Sequence, residues 1–130
     1  MILDASAAVD VVLRLEPRAS CVDSQLEQAA VLRAPHVIDA EVVGAIRRYF
    51  LRGSISSTVG ELALGDYESM RMIRFPHKPL LHRVWELRNN LSAADGLYVA
   101  LAEALDAPLV TTDASLARVP GLDIEIRAFA

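Results

Sequence analysis

Four carboxylates in this chain sit where chain direction could bring them together. Asp4 follows the apolar run Met1-Ile2-Leu3 and opens a helical pattern. Asp113 follows Leu109-Val110-Thr111-Thr112 and opens another. Asp95 stands at the start of a strongly apolar helical stretch, and Glu41 near the start of a second. Taken singly, each has an ordinary explanation as a helix cap or as a partner of the helix dipole. Ser92 and Asp95 also have capping-box spacing. If the two apolar runs are strands of one parallel sheet, Asp4 and Asp113 leave it at the same edge. Asp95 and Glu41 then border that edge. Bare carboxylates about 4 Å apart repel by about 4 kcal/mol at an effective dielectric near 20. Such a cluster must take up protons or bind a cation. Oxygen-only ligands suit Mg²⁺ or Mn²⁺, and a dication held by carboxylates points to phosphoryl chemistry, with a metal-activated water attacking a phosphodiester. His36, His77 and His82 have no paired spacing with Cys21 that would suggest zinc, and read as surface or packing residues.

The elements that must position these acids follow from hydrophobic periodicity. Met1–Leu3 reads as a short buried strand, and Asp4–Leu15 as a helix closed by Pro17. Ala19–Leu32 is helical, and Val31–Val37 contains a second strand near Ala34–Ile38. Asp39 is expected to cap the next helix and point back to it, which places Glu41 in the first turn, with Gly53 as the stop. An amphipathic helix runs from Ser56 or Ser57 to about Met70, its regularity weakened by Gly60 and Gly65. Met70–Phe75 alternates as a third strand. Leu80–Arg88 is a short helix whose stripe of Leu81, Val84, Trp85 and Arg88 places Trp85 in the core. Leu91–Asp113 reads as helix, tight connection and buried strand, with Tyr98 also on a core stripe. Ile124–Arg127 closes the chain as a last strand. Helices alternating with short apolar strands give an α/β fold. We expect one domain, residues 1–130, with three α/β/α layers around a central, mainly parallel sheet of four to five strands. Ligands in such sheets sit outside the carboxyl ends of the strands.

Composition bounds the possibilities. The chain is 53% hydrophobic and 23% charged, long enough for one real core. No apolar run reaches the roughly 18 residues of a spanning helix, and the N-terminus has no basic leader. The lone Cys21 cannot form an internal disulfide, so a cytoplasmic location is the simplest expectation. A net charge of −4 by itself argues against a nucleic-acid partner. A bound dication would offset part of it. Thirteen residues are basic, and all but Lys78 are arginine. Arginine suits bidentate phosphate contacts, although genome composition explains the same bias. Mean hydropathy is +0.31, high for a small domain. Exposed apolar surface and a protein partner, a homo-oligomer or both are therefore expected.

Met1–Ser6 (MILDAS), the acid in Ile38–Arg48 (IDAEVVGAIRR), Asp95–Leu105 (DGLYVALAEAL) and Leu109–Asp113 (LVTTD) with the short helix after it resemble, in this order, the PIN-domain family. Within it they resemble the VapC-type toxins of type II toxin–antitoxin pairs. The resemblance spans nearly the whole chain. It implies an acidic pocket holding Mg²⁺, or Mn²⁺, and endoribonuclease activity on single-stranded RNA. It carries catalytic and metal-binding roles to Asp4, Glu41, Asp95 and Asp113, and supporting roles to Ser6 and Thr112. Some relatives have a further acid shortly after the last of these. Here Ala114, Ser115, Leu116 and Ala117 supply none, which puts a fully ligated second metal site in doubt. A homodimer and a cognate antitoxin, seated in an apolar groove, are also implied. Arg47, Arg48 and Arg52 cluster on the helix of Glu41 and are candidates to meet RNA phosphates or the antitoxin, a solvated helix face being the alternative.

Three other readings stay open at this level. A PIN-type nuclease of RNA processing would have the same fold and site without the toxin role. A receiver domain also keeps an acidic Mg²⁺ pocket on a parallel sheet, and Lys78-Pro79 resembles its lysine. However, Asp4 has no adjacent acid, and Pro76 follows the third strand where the receiver's acceptor aspartate would be expected. The third is a binding module whose site has decayed.

Overall fold

The sheet orders its strands β3-β2-β1-β4-β5, all parallel. The computed structural model describes residues 1–130. β1 (Ile2–Leu3) lies at the centre, with β2 (Leu32–Pro35) and β3 (Met72–Phe75) on one side. β4 (Leu109–Thr111) and β5 (Ile126–Ala128) lie on the other. The register pairs Ile2 with Leu109 and Leu3 with Val110. The chain winds outward from β1 in both directions, so the switch point lies between β1 and β4. That is where a doubly wound sheet opens a crevice at its carboxyl edge. This order differs from the 2-1-3-4-5 order of receiver domains, which removes the receiver reading.

Seven helices connect and cover the strands: α1 (Ala5–Val12), α2 (Arg18–Gln28), α3 (Val37–Leu51), α4 (Ser57–Glu68), α5 (Leu81–Glu86), α6 (Ala93–Leu105) and α7 (Ala114–Ala117). A 3₁₀ turn, Lys78–Leu80, leads into α5. One cluster of 26 buried hydrophobic residues joins the layers. β1 is only two residues long, yet both are fully buried, because a central parallel strand is covered on both faces. α6 carries the longest buried run, Gly96 to Ala102, and packs on the sheet beside β1. No helix is long and apolar enough to cross a membrane.

Ser56 caps α4, and its hydroxyl accepts the Val59 N–H at 3.1 Å. Gly60 and Gly65 do not interrupt that helix. A Cβ at Gly60 would stand 3.5 Å from the Ile46 side chain of α3, an ordinary contact. Gly53, at φ +75°, ends α3 as its spacing implies.

Four expectations need correction. α3 begins at Val37, two residues before Asp39, because His77 Nε2 accepts the Val37 N–H at 2.9 Å. A side chain forty residues away does what a local cap would do. Asp39 therefore does not cap α3. It accepts from Tyr67 Oη at 2.6 Å and from Arg74 Nε at 2.9 and 3.0 Å, tying α3 to α4 and β3. Burial alone would raise its pKa, but these donors hold it below the usual carboxylate value. Trp85 is the third case. It is 67% exposed, with the Arg88 guanidinium 4.6 Å above its ring. α5 turns Leu81 and Trp85 outward, while Val84 fills the space over Gly96. The last strand also starts two residues later than expected, at Ile126.

Asp39→Ala strands the Tyr67 hydroxyl and the Arg74 guanidinium. It is expected to cost about 1–3 kcal/mol in denaturant unfolding. An unchanged unfolding midpoint would refute the bridging role.

Candidate active site

Asp4 occupies the N-cap position of α1 but makes no capping bond. Its Oδ2 accepts from Ser6 Oγ at 2.6 Å and from Thr111 Oγ1 at 2.7 Å. Each hydroxyl is held in turn by a backbone N–H at the end of β4. Thr112 N–H donates to Ser6 Oγ at 3.1 Å, and Asp113 N–H donates to Thr111 Oγ1 at 2.9 Å. The exit of β4 thus fixes the carboxylate at the exit of β1. Oδ1 carries no protein donor. Asp4 is only 5% exposed. Burial lifts its pKa to about 6 against the pull of the two hydroxyls, and the nearby Asp95 and Glu41 push in the same upward direction.

Glu41 lies beyond the first turn of α3, since the helix starts early. The helix dipole, which falls off within the first turn, is a weaker account of it than the sequence suggested. Its Oε1 accepts from Tyr98 Oη at 2.7 Å, leaving Oε2 free. Tyr98 is fully buried, as expected, but its hydroxyl reaches the site. Burial first, then the bond to Glu41, raises the Tyr98 pKa and keeps its proton in place as the donor. Asp95 stands at the third position of α6, where its N–H donates to the Ser92 cap at 3.2 Å. Burial raises its pKa, and Asp113 adds to the rise while the Ser92 hydrogen bond opposes it. Asp113 is a true cap, its Oδ1 accepting the Ser115 N–H at 2.9 Å and Ser115 Oγ at 2.7 Å.

All four acids line one cavity of about 410 Å³, together with Ser6 and Thr112. The capping explanations divide: Asp113 caps its helix, whereas the carboxylates of Asp4 and Glu41 are turned to other partners. No three of the side chains are close enough to form a ready-made chelate. The donor set nevertheless fits Mg²⁺ or Mn²⁺ in kind. Mg²⁺ keeps several of its waters and is bound through one or two carboxylates plus substrate phosphate rather than by a protein cage. Burial is the main cause of the raised pKa values of Asp4 and Asp95, and the neighbouring acids add to it.

The structure adds residues that sequence reasoning missed. Thr111, not Thr112, supplies the hydroxyl on Asp4, because Thr111 faces the core side of β4 while Thr112 contributes its backbone N–H. Strand alternation could have pointed to Thr111. Tyr98 as the donor to Glu41 had no signal beyond its place on the buried stripe. Asp10 and Arg18 also line the cavity. The arginines of α3 separate: Arg48 and Arg52 line the cavity, while Arg47 borders an apolar groove with Val43, Phe50 and Leu64 between α3 and α4.

The PIN domain family model matches residues 1–122. The chain belongs to the PIN-domain family. Ribonuclease VapC1 of Mycobacterium tuberculosis is 41% identical over 127 residues, spanning 97% of this chain and 95% of that one. Ribonuclease VapC12 of the same organism is 41% identical over 130 residues, spanning 100% and 99%. These relatives place this PIN domain among the VapC-type proteins. Among solved structures, VapBC2 from Rickettsia felis bound to a promoter DNA fragment superposes with a TM-score of 0.69 at 16% identity, over 99% of this chain and 98% of that one. PAE2754 from Pyrobaculum aerophilum superposes with a TM-score of 0.67 at 21% identity, over 92% and 86%. At these identities the likeness is one of fold, and the five-stranded parallel sheet of this PIN domain agrees with it.

Asp4 also sets the pH response of the metal-free PIN domain. Its pKa rises from 3.8 in the unfolded chain to about 6 in the folded one. Between those values the folded state holds a proton that the unfolded state has lost. This contribution is fully present below about pH 4, is lost as pH rises to about 6, and then levels off, for a total of about 3 kcal/mol. Asp4→Asn removes the buried charge. In chelator at pH 7.5 it is expected to melt above the wild type, with the gap closing at pH 4. A lower midpoint at pH 7.5, or a gap independent of pH, would refute this.

Proposed function

We propose that this chain is a metal-dependent endoribonuclease that cuts single-stranded regions of RNA and acts as the toxin of a toxin–antitoxin pair. Relatives 41% identical over almost the whole chain bear the name ribonuclease VapC. The observation that carries the chemistry is Asp4: a buried carboxylate at a helix start, turned away from its cap and raised to about 6. A group held at that cost suits a site that gains a cation. Mg²⁺, or Mn²⁺, would be held by Asp4, Glu41, Asp95 and Asp113. When bound, such an ion supplies positive charge at the scissile phosphate and lowers the pKa of an attacking water.

The chain's own residues orient and exclude. Ser6 and Thr111 fix the rotamer of Asp4 and leave Oδ1 free. Tyr98 fixes Glu41 and leaves Oε2 free to take a proton from water. Asp113 spends one oxygen on capping α7 and keeps the other. The buried Tyr98 side chain keeps water off the core side of Glu41. The cognate antitoxin and a second copy of the chain are the proposed protein partners. Exposed Val43, Phe50 and Leu51 on α3 and Leu62 on α4 supply the apolar surface that such partners cover. Growth arrest on expression, relieved by the antitoxin, separates the toxin role from RNA processing.

Total RNA incubated with the protein is expected to be cut in Mg²⁺ and left intact in chelator. Asp4→Asn and Asp95→Asn are each expected to abolish cutting while the circular dichroism spectrum stays native. Undiminished cutting by either variant would overturn the assignment. Mg²⁺ at millimolar concentration is expected to raise the wild-type melting temperature, because it binds only the folded state. Tyr98→Phe is expected to weaken that metal dependence about tenfold or more by releasing Glu41. A titration midpoint equal to the wild type's would refute the tyrosine's role.

A further inference from the structure

The cavity that holds the four acids does not end with them. Glu41, Ala45, Arg48 and Arg52 recur along α3 at i, i+4, i+7 and i+11, the spacing of one helical stripe, and all four line it. At about 1.5 Å of rise per residue, Arg48 stands about 10 Å along the helix from Glu41. Ala45 lies between them and leaves the passage open. Across from this stripe, α1 contributes Val9 and Asp10, and α2 contributes Arg18. The cavity is therefore a trough with a carboxylate end and a guanidinium end, within a chain whose net charge is −4.

The guanidinium groups are not there to neutralise the four acids. No salt bridge joins any of them to Asp4, Glu41, Asp95 or Asp113. Arg48 makes no side-chain hydrogen bond, and its Nη1 lies 3.6 Å from where a Cβ on Gly44 would stand. Arg52 makes none either, its guanidinium resting 4.8 Å over the Tyr49 ring. Arg18 is held by one bond only, Nε to Asp10 Oδ2 at 2.7 Å. Asp10 is itself buried, at 6% exposure. A buried carboxylate that grips Nε orients the guanidinium and leaves both terminal nitrogens available as a fork. Such forks match phosphate oxygens in pairs.

We propose that this end of the trough is a subsite for the RNA backbone. Arg18, Arg48 and Arg52 bind phosphates flanking the scissile one, and Asp10 acts as the positioning residue for Arg18. The inference rests on the ribonuclease reading for its ligand. It extends that reading by assigning a direction to the bound strand, from the acids along α3 toward Arg52. An enzyme so built gains affinity from phosphates away from the reacting bond and needs a substrate longer than the cut itself.

The test is anisotropy of a fluorescein-labelled eight-nucleotide RNA with the full chain in chelator, across a salt series. Arg48→Gln and Arg52→Gln are each expected to weaken binding about tenfold. Each should also lower the slope of log affinity against log salt by about 0.7 for every phosphate that is no longer neutralised. The double variant Asp10→Asn/Arg18→Gln, which removes the buried charge together with its partner, is expected to do the same. Arg71→Gln, before β3 at the opposite edge of the sheet, is the charge-matched control and is expected to bind as the wild type does. Cavity variants that match Arg71→Gln in affinity and slope would overturn the proposal. Cleavage in Mg²⁺ is read separately: arginine-dependent binding without any cleavage by the wild type would remove the ribonuclease reading and leave the subsite standing.

Discussion

The parallel register of β1 and β4 is the constraint from which the site follows. Pairing Leu3 with Val110 puts Asp4 and Thr111 side by side at the carboxyl edge. Two strands of two and three residues have no length to spare. One residue of slip would turn the Thr111 side chain to the other face and leave the buried Asp4 carboxylate with Ser6 as its one remaining donor. The hydrophobic core and the acidic cavity therefore depend on the same few hydrogen bonds. Folding stability and site geometry are not separable properties here.

That dependence has an energetic side. Holding Asp4 ionised in a nearly closed position, next to other acids, opposes folding at neutral pH. The apolar mass of α6 and the central strands offsets it. Conflict between a local preference and the global fold is expected where a chain performs chemistry. The Glu41–Tyr98 pair shows how the cost is limited. A neutral hydroxyl buried in the core reaches the glutamate and satisfies one oxygen, so the chain needs no basic group there that would compete with a cation. Asp39 lies on the same helix as Glu41 but works in the ordinary way, its ion pair with Arg74 joining α3 to the edge strand β3.

Much of this was legible in the sequence. The order of strands and helices, the two acids at strand exits and the Ser92 cap follow from local patterns that act within one or two turns of chain. What was not legible came from long-range partners. Asp39 looked like a cap, because nothing near it predicts that His77 would serve α3 and that Arg74 would claim the aspartate. Trp85 looked buried, since a stripe at i, i+3 and i+4 says which residues share a face but not whether that face meets the core. Thr111 and Thr112 are adjacent and alike, and only the pleat of β4 distinguishes them. Asp10 reads as an interruption of an apolar run, and only the fold sets Arg18 against it. For Asp39 and Asp10 a tertiary neighbour overrode a sound local preference.

α3 serves two surfaces at once. One stripe carries Glu41, Arg48 and Arg52 into the cavity, and another presents Val43 and Phe50 beside α4. Each residue added to a helix turns everything after it by about 100°. A one-residue insertion between Glu41 and Arg48 would swing the arginines out of the trough and carry apolar side chains toward it. Substitutions can accumulate on this helix one surface at a time, but its length between those two positions is fixed. α5 has one packed side, with Val84 over Gly96, and turns Leu81 and Trp85 to solvent. Among descendants of this chain, gaps and insertions should be purged from the middle of α3.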